Sequence, residues 1–230
     1  MIQIHPLTGI PEIEEGADLA TEILQACGRS ELEVKDGDIF VVTHKIVSKA
    51  EGQVARIVTE ADYRELIDNE AVDIIRRRGD LVITRTRHGF ICANAAVDRS
   101  NTPEGTAVLL PVDPDRSAHR LRMGLQRATG KSLGVLISDT FGRAWRRGQT
   151  DIAIGISGVL GILDLRGTTD HEGHQLAATE VAVADELAGA ADLVMGKADK
   201  IPVAMVRGAG LLGEGRITDL IRDPGEDLFL

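Results

Sequence analysis

The segment at residues 136–148, LISDTFGRAWRRG, begins as a buried strand and then places an acid, a hydroxyl and three arginines together. Carboxylate and hydroxyl oxygens suit hard cations, so Asp139 and Thr140 could hold Mg²⁺ or Mn²⁺. Arg143, Arg146 and Arg147 could bind phosphate or carboxylate oxygens through forked hydrogen bonds. A capped turn followed by a solvated basic patch explains the same residues, and both interpretations stay open.

A second acid, Asp98, precedes Asn101 by three residues in the segment NAAVDRSN, just after a predicted strand. Together these side chains could complete a metal site and contact a nucleotide. The alternative is an ordinary Asx turn, in which the aspartate bonds only to its own backbone.

A third cluster joins the end of a predicted strand at Thr43 and His44 to two lysines, Lys45 and Lys49, at helical spacing. Lysines that point inward could bind phosphate, whereas a solvated lysine face is the commoner arrangement. The turn from Leu7 to Ile10, which includes Thr8 and Gly9, offers backbone N–H groups to a nucleotide pocket, or it is a plain connection.

Composition limits the class of protein. The 230 residues carry a formal net charge of -10 and an isoelectric point near 5.1, which argues against a general nucleic-acid surface. The two cysteines are too few for a disulfide framework, and no apolar stretch is long enough for a membrane helix. We therefore expect a cytoplasmic protein with no nucleic-acid or membrane partner, whose anion site is supplied with local positive charge.

The elements that must position these clusters follow from hydrophobic periodicity. We expect α+β architecture with mixed or antiparallel sheets, and a single domain over residues 1–230, because no repeat or linker interrupts the chain. A hairpin should turn at His88–Gly89. Strands are predicted at residues 2–7, 39–43, 131–140 and 201–208, and helices at residues 17–28, 58–78, 117–128 and 176–196. Neither a P-loop nor a G-x-G-x-x-G fingerprint is present in the sequence.

Taken together, the clusters resemble the coenzyme F420-0:L-glutamate ligase family, GTP-dependent enzymes that add γ-linked glutamate to the deazaflavin coenzyme F420. The resemblance covers essentially the whole chain in order, and its most specific part is residues 134–158. The matching segments are PLTGIPEI, GDIFVVTHKIVSKAEG, CANAAVDRSN, LLPVDPDRSA, GVLISDTFGRAWRRGQTDIAIGISG, DLRG, VADELAGAADLVMGK and PVAMVRG.

The resemblance implies the site residues and the cofactors. Two divalent ions, Mg²⁺ or Mn²⁺, would be bound, with Asp98 and Asp139 as metal ligands and Thr140 contributing to the second ion; K⁺ is a further candidate. GTP would be contacted by the Leu7–Ile10 turn and by Thr43, His44, Lys49 and Asn101, and Asp98, Asp139, Arg143 and Lys49 would take part in catalysis. Some relatives carry an acid where Lys197 stands, so the sequence leaves open whether Lys197 replaces a metal ligand.

The implied reaction joins L-glutamate to coenzyme F420-0 through an acyl phosphate, with release of GDP and phosphate. The implied fold is an unusual α+β arrangement in which two chains intertwine as a homodimer. Two alternatives stay open: a related metal- and nucleotide-dependent carboxylate–amine ligase with another acceptor, and a pseudo-enzyme that binds a nucleotide or the deazaflavin without turnover.

Overall fold

The computed structural model describes residues 1–228. The helices are α1 (Leu19–Arg29), α2 (His44–Ala50), α3 (Glu60–Glu70), α4 (Pro114–Thr129) and α5 (Val183–Met195). The strands are β1 (Gln3–Pro6), β2 (Ile39–Thr43), β3 (Val54–Arg56), β4 (Ala71–Arg78), β5 (Leu81–Thr86), β6 (Ile91–Ala93), β7 (Thr106–Val108), β8 (Gly134–Gly142), β9 (Gln149–Ser157), β10 (Leu163–Asp164), β11 (Glu180–Val181) and β12 (Val203–Arg207). Separate sheets and helices confirm the expected α+β class.

The main sheet has five strands in the order β1-β12-β2-β8-β9. Only β2 and β8 run parallel, with Ile39 opposite Gly134 and Thr43 opposite Ser138. The other pairs are antiparallel. Strand β8 continues to Gly142, four residues beyond its last pair with β2, so its distal part pairs only with β9. The sheet therefore has a step at the carboxyl end of β2, and Asp139 and Thr140 stand on it.

Helices cover the central strands and bury them almost completely. Helix α4 packs on β8 and β9, and α5 packs on β9, β12 and β1. Such two-sided cover requires continuous apolar runs, as in the IFVVT of β2 and the GVLIS of β8. Phe40, Val41, Leu136 and Ile137 are fully buried there. This rigid core fixes the positions of the polar residues that follow it.

The predicted helix over residues 58–78 is wrong in its second half. Helix α3 begins after a capping box formed by Thr59 and Asp62 and ends at Glu70. The remainder, AVDIIRRR, forms β4 and pairs antiparallel with β5. Its β-branched residues pack better on a pleated strand than in a helix, and cross-strand pairing outweighs the apolar spacing that suggested one. The hairpin expected at His88–Gly89 joins β5 to β6 and is confirmed.

Other boundaries move for local reasons. Helix α5 begins at Val183 rather than 176, because Glu180 and Val181 pair with β10. Helix α4 starts at Pro114, since the Asp113 carboxylate caps it and proline suits the first helical position. Helix α1 runs through Gly28 to Arg29 instead of stopping at that glycine.

No helix within residues 1–228 combines the length and apolar character needed to cross a bilayer.

Candidate functional site

The first turn of α2 contacts both predicted metal-binding aspartates. The ring Nε2 of His44 lies 3.3 Å from Asp139 Oδ1, and the ammonium of Lys45 lies 2.8 Å from Asp98 Oδ2. Parallel pairing of β2 with β8 brings Thr43 level with Ser138, so His44 naturally faces the residue after Ser138. Two acids that are 41 positions apart in sequence are thus brought to the same end of the sheet.

Further contacts connect Asp139 and Asp98 through a second series of residues. Lys197 Nζ donates to Thr140 Oγ1 at 2.7 Å, and the Lys197 carbonyl accepts from Asn101 Nδ2 at 3.4 Å. Because Asn101 follows Asp98 by three residues, the path returns to its start. We call the residues on this path the contact ring: His44, Lys45, Asp98, Asn101, Asp139, Thr140 and Lys197.

Asp98 is both an Asx-turn residue and an ion-pair partner. Its Oδ1 accepts from the Ser100 N–H at 2.6 Å, and its Oδ2 faces Lys45. Burial acts to raise the pKa of Asp98, but Lys45 and the Ser100 hydrogen bonds outweigh it and hold the pKa below its ordinary value. The turn expected as the alternative is present, and it leaves the second oxygen pointing at a cation.

Asp139 lies inside β8, because β8 continues its pairing with β9. The sequence interpretation placed Asp139 and Thr140 at the C-terminal end of a strand over residues 131–140, and the strand extends two residues further, to Gly142. The Asp139 side chain is 12% exposed, and its Oδ1 accepts from the Thr140 N–H at 2.7 Å. Beside it, the buried His44 Nε2 has no aligned hydrogen-bond partner within the described residues. An orphaned buried nitrogen calls for an explanation, and a bound water or ion is one of those that fit.

Both lysines of the third cluster point inward. Their side chains are only 21% exposed for Lys45 and 11% for Lys49, so a solvated lysine face is excluded. Lys49 contacts the Glu12 carboxylate and donates to the Asn101 carbonyl at 3.2 Å. The site therefore has two ammonium groups at its edge, each paired with a carboxylate.

The segment after β1 is tied to the same place. The Leu7 N–H bonds to the Val203 carbonyl at 2.9 Å, and Arg29 donates to the Gly9 carbonyl at 2.9 Å. The next residues, Thr8 to Glu12, lead to the carboxylate that contacts Lys49. The side chains of Leu7 and His44 are fully buried. Leu7 could therefore contact a nucleotide only through its backbone, and His44 could influence one only through Asp139, which its ring contacts.

The arginines divide into two groups. Arg143, Arg146 and Arg147 lie exposed in the turn between β8 and β9, where Arg143 donates to the Arg147 carbonyl at 2.9 Å. Arg166, the arginine of the DLRG segment, is held by Asp164 at 2.7 Å and Glu180 at 3.2 Å. Two carboxylates already neutralise it, so Arg166 is not available as an anion receptor in this conformation.

Sequence reasoning missed two acids that meet Lys197. Asp151 Oδ1 lies 2.8 Å and Asp192 Oδ1 lies 2.6 Å from its ammonium. Asp151 stands opposite Thr140 across β8 and β9, and its side chain is 4% exposed. Burial acts to lower the pKa of Lys197, but hydrogen bonds to both acids raise it overall. A lone acid in the apolar strand TDIAIGIS was the available signal for Asp151.

Mg²⁺ is commonly held by one or two carboxylates plus phosphate oxygens, so Asp98 and Asp139 have the chemistry for one divalent ion, which would take the place of the Lys45 ammonium at Asp98 Oδ2. In residues 1–228 no three His, Cys, Asp or Glu side chains converge as a complete protein-only metal site. The second position fits less well: Thr140, the predicted ligand there, already binds an ammonium.

The fold and these clustered acids and cations define an α+β protein with a carboxylate-rich, lysine-edged site. Residues 9–208 match the family model described as F420-0:Gamma-glutamyl ligase. Similar relatives, each named Coenzyme F420:L-glutamate ligase, come from Methanothermobacter thermautotrophicus (40% identical, covering 99% of this chain and 98% of the relative), Methanocaldococcus jannaschii (43%, 85% and 86%) and Archaeoglobus fulgidus (38%, 99% and 96%). The chain therefore belongs to the F420-0:gamma-glutamyl ligase family. It is an enzyme of the ligase class.

Proposed function

We propose that this protein is a GTP-dependent ligase that adds γ-linked L-glutamate to coenzyme F420-0 and releases GDP and phosphate. Family membership and the names of its relatives support the acceptor and the amino acid. The observation that carries the proposal is the contact ring, in which one turn of α2 reaches both Asp98 and Asp139. A nucleotide-dependent ligase needs such an arrangement of acids for a cation and lysines for phosphate.

The chemistry requires activation, because a carboxylate is a poor electrophile. A carboxylate oxygen of F420-0 attacks the γ-phosphorus of GTP, the bond to the β,γ-bridging oxygen breaks, and GDP leaves. The α-amine of glutamate then attacks the carbonyl carbon of the acyl phosphate. Phosphate departs with the former carboxylate oxygen, and the amine loses a proton as the amide forms.

The chain's own groups would bind and orient the reacting phosphates. A bound Mg²⁺ or Mn²⁺ would neutralise charge on the phosphate oxygens. Asp98 and Asp139 would hold it, and Lys45, which helps to keep Asp98 ionised, would leave Asp98 Oδ2 when the ion binds there. Lys49 would donate to a phosphate oxygen after parting from Glu12, its present carboxylate partner.

The remaining nucleotide contacts follow the family pattern. Backbone groups of Leu7, Thr8, Gly9 and Ile10, together with Thr43 and Asn101, would line the GTP pocket. His44 would act through Asp139, because its ring is buried against that carboxylate. Arg143, exposed in the β8–β9 turn, would bind an anionic group of the acceptor or of glutamate.

We further propose that the chain acts as a homodimer in the cytoplasm, as a single domain over residues 1–230, and without nucleic-acid or membrane partners. A role for K⁺ also stays a proposal, and K⁺ dependence is measured by replacing it with Na⁺ in the assay below.

The function is tested by incubating the purified protein with F420-0, GTP, Mn²⁺ and L-glutamate and measuring product masses. Products heavier than F420-0 by whole glutamate residues, formed only with GTP, are the expected result. GDP release with a different carboxylate acceptor would identify another ligase of this chemistry. Tight binding of GTP or of the deazaflavin with no product would instead identify a pseudo-enzyme.

A further inference from the structure

The Lys197 ammonium fills the position that a cation bound to Thr140 would take. Its three N–H groups are directed at three oxygens: Asp192 Oδ1 at 2.6 Å, Thr140 Oγ1 at 2.7 Å and Asp151 Oδ1 at 2.8 Å. An ammonium has three donors and no acceptor, so all of its hydrogen-bonding capacity is used.

The Thr140 and Asp151 oxygens around the ammonium also make hydrogen bonds to other side chains. Thr140 gives its single hydroxyl proton to Asp151 Oδ1 at 2.6 Å, which turns its lone pairs toward Lys197. The other oxygen of Asp151 accepts from Ser138 Oγ at 2.9 Å. The ammonium takes one of the two lone pairs of the Thr140 oxygen, and a divalent ion on the other would lie beside its positive charge and be repelled.

The charge balance explains why an ammonium belongs there. Asp151 and Asp192 have side chains that are 4% and 20% exposed, and two poorly solvated carboxylates repel each other unless a cation lies between them. Lys197 supplies that cation covalently, so it cannot diffuse away.

The backbone also fixes the ammonium's position. Gly196 ends α5 with a positive φ of 62°, and a Cβ there would approach Asp199 Oδ2 to 2.5 Å. From this turn the Lys197 carbonyl accepts from Asn101 while its side chain reaches Thr140. One residue therefore spans the contact ring between the predicted nucleotide contact and the predicted second metal ligand.

We propose that Lys197 replaces the second divalent ion itself, rather than a ligand of that ion, so that this protein takes one divalent ion at Asp98 and Asp139. The proposal deepens the proposed function and rests on it for the first ion. Its consequence is specific to this chain. Removing the ammonium while keeping Thr140, Asp151 and Asp192 creates an oxygen site with two carboxylates, which is a sufficient protein contribution for Mg²⁺ or Mn²⁺.

The experiment counts bound Mn²⁺ by the electron paramagnetic resonance signal of the free ion, with the metal alone and no nucleotide. Lys197→Met keeps the aliphatic stem and removes the charge, and it should bind one more Mn²⁺ per chain than the wild type. Lys200→Met is the matched control, three residues away and absent from the cluster, and it should bind the wild-type number. Adding Asp192→Asn to Lys197→Met should abolish the gained ion.

Equal Mn²⁺ numbers for the wild type and Lys197→Met would overturn the proposal. If Lys197→Met does not fold, as judged by circular dichroism, the wild type decides the matter alone. Two Mn²⁺ per wild-type chain, one of them lost in Thr140→Val, would also overturn it, whereas a single ion retained in Thr140→Val supports it. The number of Mn²⁺ ions bound by the wild type separately tests the site at Asp98 and Asp139. If the wild type binds none, that site is wrong, but Lys197→Met should still bind one ion more than the wild type.

Discussion

Substitution of Asp139 by asparagine separates the proposed role of this residue in catalysis from its role in the fold. The side chain sits on the step of the main sheet, where its Oδ1 accepts from the Thr140 N–H at 2.7 Å. Asparagine keeps an oxygen that can accept this bond, removes the charge and replaces the second oxygen with an NH₂ group. The substitution also preserves size, so no cavity forms beside the buried ring of His44.

The magnitudes differ for the two roles. A retained neutral hydrogen bond limits the change in unfolding free energy to about 1 kcal/mol, which for a chain of this size shifts the melting temperature by about 2–4 °C. Loss of a preorganised charge at a site of phosphoryl transfer costs about 100- to 1,000-fold in kcat, equivalent to about 3–4 kcal/mol. The effect on activity should thus be several times the effect on stability.

The assay measures GDP release and glutamylated product alongside thermal unfolding of the same preparations. Asp80→Asn is the control, because the Asp80 side chain is 93% exposed and pairs only with Arg64 among the described residues. It should keep wild-type activity. Less than tenfold loss of kcat in Asp139→Asn, with melting unchanged, would refute the catalytic role of this carboxylate.

Three further outcomes are expected. Lys49→Met should raise the KM for GTP about 10- to 100-fold, since a charged hydrogen bond contributes about 1.5–3 kcal/mol; Lys131→Met is the control, and equal KM values would contradict phosphate binding. Because the folded pKa of Asp98 is depressed, its stabilisation is present above the ordinary value of about 3.9 and is lost as the pH falls through the lower folded value. The difference in unfolding free energy between wild type and Asp98→Asn should therefore be flat above about pH 5 and shrink below about pH 4, and a change above pH 5 would contradict this. Burial raises the pKa of Cys27 to about 11 and that of Cys92 to about 12, so neither thiol should react with DTNB at pH 8 until guanidinium unfolds the chain; rapid labelling of the folded protein would disagree.

Continuous apolar runs were sufficient to predict the central strands, because β2 and β8 are buried on both faces and have little alternative. The segment at residues 71–78 was not predictable in the same way. Its apolar spacing also fits a helix, and only pairing with β5, supplied by a later part of the chain, selects the strand. The one large error in the predicted secondary structure, the helix over residues 71–78, therefore arose because the strand depends on tertiary pairing.

The orientation of the Lys45 and Lys49 side chains could likewise be predicted only in part. Spacing placed Lys45 and Lys49 on one helical face, but it gave no sign of whether that face meets water or protein. The structure resolves this through carboxylates from distant segments, Asp98 for Lys45 and Glu12 for Lys49. The pattern of residues along one segment gives no information about side-chain partners that are far away in sequence.

The acids around Lys197 were missed for the same reason. Asp151 becomes a neighbour of Thr140 only through the register of β8 with β9, and Asp192 reaches the same point from α5. The sequence did mark Lys197 as a departure from the family pattern, yet its partners emerge only in three dimensions. Their arrangement is the reason for our proposal that the Lys197 ammonium takes the place of a divalent ion, and does not simply remove one of its ligands.

The central claim is that GTP activates the acceptor carboxylate, and isotope transfer tests it most directly. F420-0 labelled with ¹⁸O in its terminal carboxylate is converted with GTP, Mn²⁺ and L-glutamate, and the released phosphate is analysed by mass spectrometry. Phosphate carrying one ¹⁸O atom from the acceptor is the predicted result, because the acyl phosphate breaks at its carbonyl carbon. Glutamylated product accompanied by unlabelled phosphate would contradict the account.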